Sequence, residues 1–258
     1  NYIGEKMKEQ KKLTIQMGLF TFIIFVSFGI IVLNEKVAPL FSPRIDEKLN
    51  KYLKENYTSI INELDIGKTN YNNTKYQLKI TSKENSNLYF YIRYSDKKIT
   101  DTYKEDYLEG KNLLSKIEEK TEKELKEKYN KSFKVSLLKP LNEYSDKVKK
   151  QLINEESILS LPIYTLEIEL TCNWNKSDIV KEITSLFNSF QLDEVNPNNY
   201  SFIIKDKKTN KKIKINNLTK EIIIDEEKLT NIIDKVLTND TDNVLEENNI
   251  TYEKIKEN

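Results

Sequence analysis

Residues 13–33, LTIQMGLFTFIIFVSFGIIVL, form a run of twenty-one residues without a charge. As a helix, that length crosses the roughly 30 Å of hydrocarbon in a bilayer. Leu13, Phe20, Phe22, Ile24, Phe25, Ile30 and Val32 are its candidate membrane-anchoring residues. No polar face interrupts the run, as one would in the helix of a water-facing core. Lys6, Lys8, Lys11 and Lys12 precede it, against Glu5 and Glu9, whereas Glu35, Lys36 and Arg44 follow it. The basic excess on the N-terminal side predicts a cytoplasmic N-terminus and an extracytoplasmic C-terminal portion. A cleaved signal peptide would have a shorter apolar core and a small-residue cleavage site. The exit Asn34-Glu35-Lys36-Val37-Ala38-Pro39 offers no such site. A retained signal anchor in the cell membrane is therefore expected. Met7 opens an ordinary anchor start, and residues 1–6 read as translated leader. N-terminal mass spectrometry that finds Asn1 on native protein refutes that reading.

The first 33 residues hold four lysines and two glutamates. Subtracting them from chain totals of 42 basic and 41 acidic residues leaves 38 and 39. A near-neutral balance argues against nucleic acid as a partner, because phosphate neutralisation needs a basic face. The densest basic run, Lys205-Asp206-Lys207-Lys208-Thr209-Asn210-Lys211-Lys212, reads as a solvated hairpin turn. A single cysteine excludes an internal disulfide framework and fits a Gram-positive envelope.

Ser42-Pro43 reads as an N-cap and first helical residue, with Ile45, Leu49, Tyr52 and Leu53 on one stripe. Two alternating runs follow. Tyr76, Leu78 and Ile80 share one face, then Leu88, Phe90, Ile92 and Tyr94, with Asn85-Ser86-Asn87 as the turn of a hairpin. A helical stretch is expected over residues 103–129, carrying Leu108, Leu114, Ile117, Leu125 and Tyr129 and interrupted at Gly110. Phe133, Val135 and Leu137 alternate as a strand.

In the second half, Tyr164, Leu166, Ile168, Leu170, Cys172 and Trp174 share one strand face, with Thr165, Glu167 and Glu169 opposite. Ser177 is placed to cap a helix lined by Ile179, Ile183, Leu186, Phe187 and Phe190. A hairpin follows, with Tyr200, Phe202 and Ile204 on one arm and Ile213 and Ile215 on the other. Residues 222–224 read as a short strand, and Leu229, Ile232, Ile233, Val236 and Leu237 line a last helix.

The expected class is α+β: an N-terminal transmembrane helix followed by two small antiparallel-sheet-plus-helix modules. The expected divisions are a cytoplasmic flank (1–12), the transmembrane helix (13–33), a first module (34–139), a linker region (140–161), a second module (162–238) and a polar, frayed tail (239–258).

The anchor, the helix ending Lys51-Tyr52-Leu53-Lys54-Glu55-Asn56-Tyr57, the hairpin and the stretch Ile92-Arg93-Tyr94-Ser95-Asp96-Lys97-Lys98-Ile99-Thr100-Asp101-Thr102-Tyr103 together suggest a relationship. They resemble small membrane-anchored envelope proteins of Gram-positive bacteria with a PepSY-like extracytoplasmic module. The resemblance covers about residues 7–130 and rests on pattern. It implies a binding or regulatory module and transfers no catalytic residue.

The chain has no histidine, which excludes Ser-His-Asp and Cys-His catalysis and imidazole-based zinc sites. Cys172 lies between Leu170 and Trp174 on an apolar strand face and reads as structural. Ser42 lacks the Ser-Met-x-Pro surroundings of an anchored Ser/Lys peptidase. Asp240-Thr241-Asp242 lacks the glycine and the closing glutamate of a calcium loop. No catalytic residue, metal ligand or cofactor is expected.

The candidate binding surface is Tyr89, Tyr91, Glu167 and Glu169. Tyr89 and Tyr91 face away from Phe90 and Ile92, so that strand is either buried on both faces or presents tyrosines to a protein or glycan. Glu167 and Glu169 suit solvated sheet surface, general acid/base work or a hard cation. The function expected is a non-enzymatic binding or regulatory module of the cell envelope, in contact with the bilayer and an envelope protein or glycan. One alternative is an accessory subunit of a membrane transport or secretion complex, with Gly18, Ser27 and Gly29 allowing helix packing. The other is a carboxylate-dependent hydrolase of envelope polymers.

Overall fold

A strand that buries every second residue must be covered on one face only, and residues 164–172 set that geometry for the larger part of this protein. The computed structural model describes residues 43–72, 75–209, 211–238, 243–245 and 250–255. The anchor run, Ser42 and residues 239–242 lie outside them. Among the described residues no helix is long and apolar enough to cross a membrane. The class is α+β, with two sheets and several helices.

The described residues divide into two compact units, those up to 83 together with 90–102, and 84–89 together with those from 103 onward. This corrects the boundary expected at 140–161. That segment lies within the second unit, where Leu141, Tyr144, Leu152 and Ile158 join the core. It forms a helix, Asp146–Ile153, and the turns around it.

The first unit has a helix, α1 (residues 43–56), and a sheet ordered β1-β2-β3-β4. The strands are β1 (Leu64–Asn72), β2 (Lys75–Ser82), β3 (Tyr89–Ser95) and β4 (Lys98–Asp101). Ile45, Leu49 and Leu53 of α1 are buried, as are Leu78, Ile80, Phe90 and Ile92 of the sheet. Tyr52 Oη donates to Asp101 Oδ2 at 2.5 Å, which ties α1 to β4.

Two strands here escape a periodicity reading. β1 shows no alternation because it is an edge strand with a register shift between Ile66 and Thr69. At that bulge a Cβ on Gly67 would meet Lys79 O at 2.9 Å, so only glycine fits. β4 follows a two-residue turn, Asp96-Lys97, with both residues at positive φ (50° and 62°). That is the hairpin geometry usually supplied by Asn-Gly, and Asp-Lys hides it.

The second unit carries a sheet ordered β5-β6-β7-β8-β10-β9. Its strands are β5 (Ser132–Leu137), β6 (Tyr164–Cys172), β7 (Asn199–Asp206), β8 (Lys212–Leu218), β9 (Asn243–Leu245) and β10 (Ile250–Ile255). Its helices are α2 (Lys111–Tyr129), α3 (Asp146–Ile153), α4 (Lys176–Leu192), α5 (Lys220–Ile224) and α6 (Glu226–Thr238). The sheet is mixed, contrary to the antiparallel expectation: β6 and β7 run parallel, as a crossover through α4 requires. The core joins Ile117 and Leu125 of α2, Ile183 and Phe187 of α4 and Leu229 and Ile233 of α6 to one face of this sheet.

Four further expectations change. Residues 222–224 are helical, in α5: Ile222 and Ile223 are adjacent and both buried, which one face of a strand cannot achieve. The helix expected over 103–129 is broken, as anticipated, at Gly110, and residues Tyr103–Leu108 form a π-type turn ahead of α2. The cap of α4 is Asn175, whose Oδ1 accepts from Asp178 N at 2.9 Å, and Ser177 lies inside the helix. The segment expected to fray contributes β10, paired to β8, with Ile250 and Tyr252 buried. Two apolar residues at strand spacing are hard to see in an Asn/Glu-rich stretch.

The connection between β2 and β3 groups with the second unit. Leu88 enters that unit's core, Asn85 Nδ2 donates to Ile153 O at 2.5 Å, and Asn87 Nδ2 donates to Glu155 Oε1 at 2.7 Å. The residues read as turn formers thus also hold the loop through their side chains.

Candidate functional site

The face of the second sheet opposite the helices is polar. Along β6 the core takes Tyr164, Leu166, Ile168, Leu170 and Cys172, so the pleat turns Thr165, Glu167 and Glu169 the other way. The neighbouring strands place Ser201, Ile203 and Lys205 (β7) and Lys214 (β8) on the same face by register.

Glu167 and Glu169 are both ion-paired there. Lys205 Nζ donates to Glu169 Oε1 at 2.5 Å, and Lys214 Nζ lies 2.6 Å from Glu167 Oε2. The second pair reaches from β6 to β8 across β7, and Ser201, which faces Glu167 in register, is buried. All four side chains keep about a quarter to a third of their surface exposed. Each such pair contributes only a few tenths to about 1 kcal/mol to stability. Their larger effect is on chemistry: both carboxylates are committed to lysines, and the face alternates in sign over short distances.

Tyr89 groups with the second unit and Tyr91 with the first. Both are half-buried. Tyr91 N–H donates to Thr102 Oγ1 at 3.0 Å, and the Arg93 guanidinium lies 5.4 Å from the Tyr91 ring centroid. The anchor residues named from the sequence lie outside the described residues.

Two of the grooves that flank the second unit's helices are lined by mixed polar and apolar side chains. One of about 620 Å³ runs between α4 and α6, lined by Ser177, Val180, Thr184, Asn188, Glu226 and Thr230 among others, and Lys176 Nζ bonds Asp234 Oδ1 at 2.9 Å between the two helices. The other, about 550 Å³, lies beside the end of β5 and includes Glu105, Glu109, Lys111, Glu118, Leu138 and Lys139. Burial pushes the Glu118 carboxyl above the ordinary range, and the Leu137 N–H that it accepts at 2.7 Å offsets part of that rise. Glu122, one turn on, pushes it up further.

Cys172 is buried and free, and burial together with Glu182 pushes its thiol up, as suits a structural residue. Among the described residues no group of three or more His, Cys, Asp or Glu is placed to hold a metal ion.

Sequence reasoning missed Lys205 and Lys214 as partners of the glutamates. Strand alternation places both lysines outward, but only strand order reveals that they meet β6. Glu118 and Glu122 were lost among Glu119, Glu124 and Glu127 of the same helix. No family model, curated protein or solved structure matches this chain.

Proposed function

We propose that this chain is a single-pass membrane protein with a cytoplasmic N-terminus, whose extracytoplasmic portion is a non-enzymatic binding or regulatory module of the cell envelope. The uncharged run at 13–33 and the basic excess before it support the address. The observation that carries the binding role is the polar sheet face, where Glu167 and Glu169 are each held by a lysine. A carboxylate serving as general acid or base needs a site free for a reacting proton. These two instead accept from Lys205 and Lys214, and an envelope protein or glycan can exchange those pairs of donor and acceptor for its own hydrogen bonds.

The test is crosslinking in native membranes, followed by affinity purification through a C-terminal tag and mass spectrometry, with Glu167→Lys/Glu169→Lys as the control variant. A recovered envelope protein or glycan that is lost from the variant is the expected result. One stoichiometric transport or secretion partner, retained by the variant, makes the chain an accessory subunit instead. Hydrolysis of an envelope polymer by the purified chain, abolished in the variant, refutes the non-enzymatic reading.

A further inference from the structure

We propose that the outer edge of β5 is a latent pairing surface for a second copy of this chain, held closed by side chains of α2 and by Tyr144. β5 is the first strand in sheet order, so one of its edges has no strand neighbour. Leu138 N–H points inward, to Ile163 O at 3.0 Å, which turns the amides of 135, 137 and 139 outward by strand alternation. Each is taken by a different side chain. Glu122 Oε1 accepts from Val135 N at 2.8 Å, Glu118 Oε1 accepts from Leu137 N at 2.7 Å, and Tyr144 Oη accepts from Lys139 N at 3.1 Å.

The two glutamates are one helical turn apart, a rise of about 6 Å. Alternate amides of a strand are separated by about 6.6 Å. α2 therefore offers carboxylates at nearly the repeat with which a neighbouring strand would offer carbonyls. The arrangement is maintained although burial disfavours the ionised Glu118.

An unprotected edge strand is a template for further pairing. β5, Ser-Phe-Lys-Val-Ser-Leu, has no proline and a single charge, and its register with β6 is unbroken. At the other end of the sheet β9 is only three residues long, and in the first unit β1 carries a bulge. Both are familiar ways of blunting an edge. β5 uses neither.

Its sequence is also self-complementary. Antiparallel pairing of two copies about Val135 sets Phe133 opposite Leu137 and Lys134 opposite Ser136, with no like charges facing inside β5; Lys131 meets Lys139 only beyond its ends. Each copy frees one edge, so the product is a closed dimer.

The full chain in detergent tests this, as wild type, Glu118→Ala/Glu122→Ala and Glu118→Gln/Glu122→Gln. Sedimentation velocity and amide hydrogen exchange at Val135 and Leu137 are read on each. The glutamine variant, which retains its acceptors, is expected to keep the wild-type mass. The alanine variant is expected to double its mass in a concentration-dependent way. A folded alanine variant of wild-type mass overturns the proposal, as does open-ended growth. Exchange of Val135 and Leu137 at the rate of exposed loop amides in the wild type overturns the cap, whether or not the alanine variant folds.

Discussion

Among the described residues the hydroxyl of Tyr200 has no hydrogen-bond partner, although the residue is fully buried between Phe187, Phe190 and Phe202. A buried donor left unpaired costs about 1–3 kcal/mol. Tyr200→Phe is therefore expected to leave stability unchanged or to raise it by about 1 kcal/mol in urea unfolding. A loss of more than that would mean the hydroxyl is satisfied in solution.

Glu118 supplies a pH-dependent counterpart. Its folded carboxyl is raised above the ordinary value near 4.5, chiefly by burial. A raised acid contributes stability below its unfolded pKa and loses that contribution as pH rises through the folded value. Glu118→Gln keeps an acceptor for Leu137 N–H without the buried charge. The variant is expected to be more stable than wild type at pH 7, with the difference disappearing as pH falls below the ordinary glutamate range. A pH-independent difference in chemical unfolding between pH 3 and pH 8 would refute the assignment.

At the scale of elements, breaks were harder to read than stripes. Ile179, Ile183, Leu186, Phe187 and Phe190 are buried on α4, and the alternating residues of β6 are buried on one face, because both patterns follow directly from backbone geometry. Gly110 shows what a break requires. Its φ is +68°, and a Cβ there would come within 2.7 Å of Leu141 Cβ. Gly110→Ala combines a left-handed backbone with a clash and is expected to destabilise by about 1–3 kcal/mol. Adding Leu141→Gly should cost less in the variant than in wild type, since it removes the Cβ, Cγ and Cδ2 atoms that a Gly110 Cβ would meet, and a double-mutant cycle measures that difference. Strict additivity would place the whole cost in the backbone. The strand misread at 222–224 has the same lesson: three isoleucines favour a strand locally, but adjacent buried positions fit a helix.

For the whole molecule, the last strand carries the clearest prediction. β10 lies between β8 and β9, and Ile250 and Tyr252 are buried in the core. Truncation after residue 249 removes these side chains and strips the pairing from β8. Large core truncations cost about 2–5 kcal/mol each, comparable to the stability of a whole domain. The truncated chain is expected to lose cooperative unfolding of the second unit and the exchange protection of β8 amides. Unchanged protection would restore the view of this segment as a frayed tail.

Much of the architecture could be anticipated from local pattern: the α+β class, the amphipathic helices, the hairpin of β7 and β8, and the outward direction of Glu167 and Glu169. Each depends on a period of 2 or 3.6 that a chain carries within a dozen residues. What only the tertiary structure decided were relations between distant segments. Strand order brought Lys205 and Lys214 to the two glutamates, parallel pairing joined β6 to β7, and the β2–β3 connection entered the second unit's core. The same holds for Glu118 and Glu122, whose role depends on a strand more than ten residues away. Periodicity says which way a side chain points; which partner it meets is set by long-range packing that no local window contains.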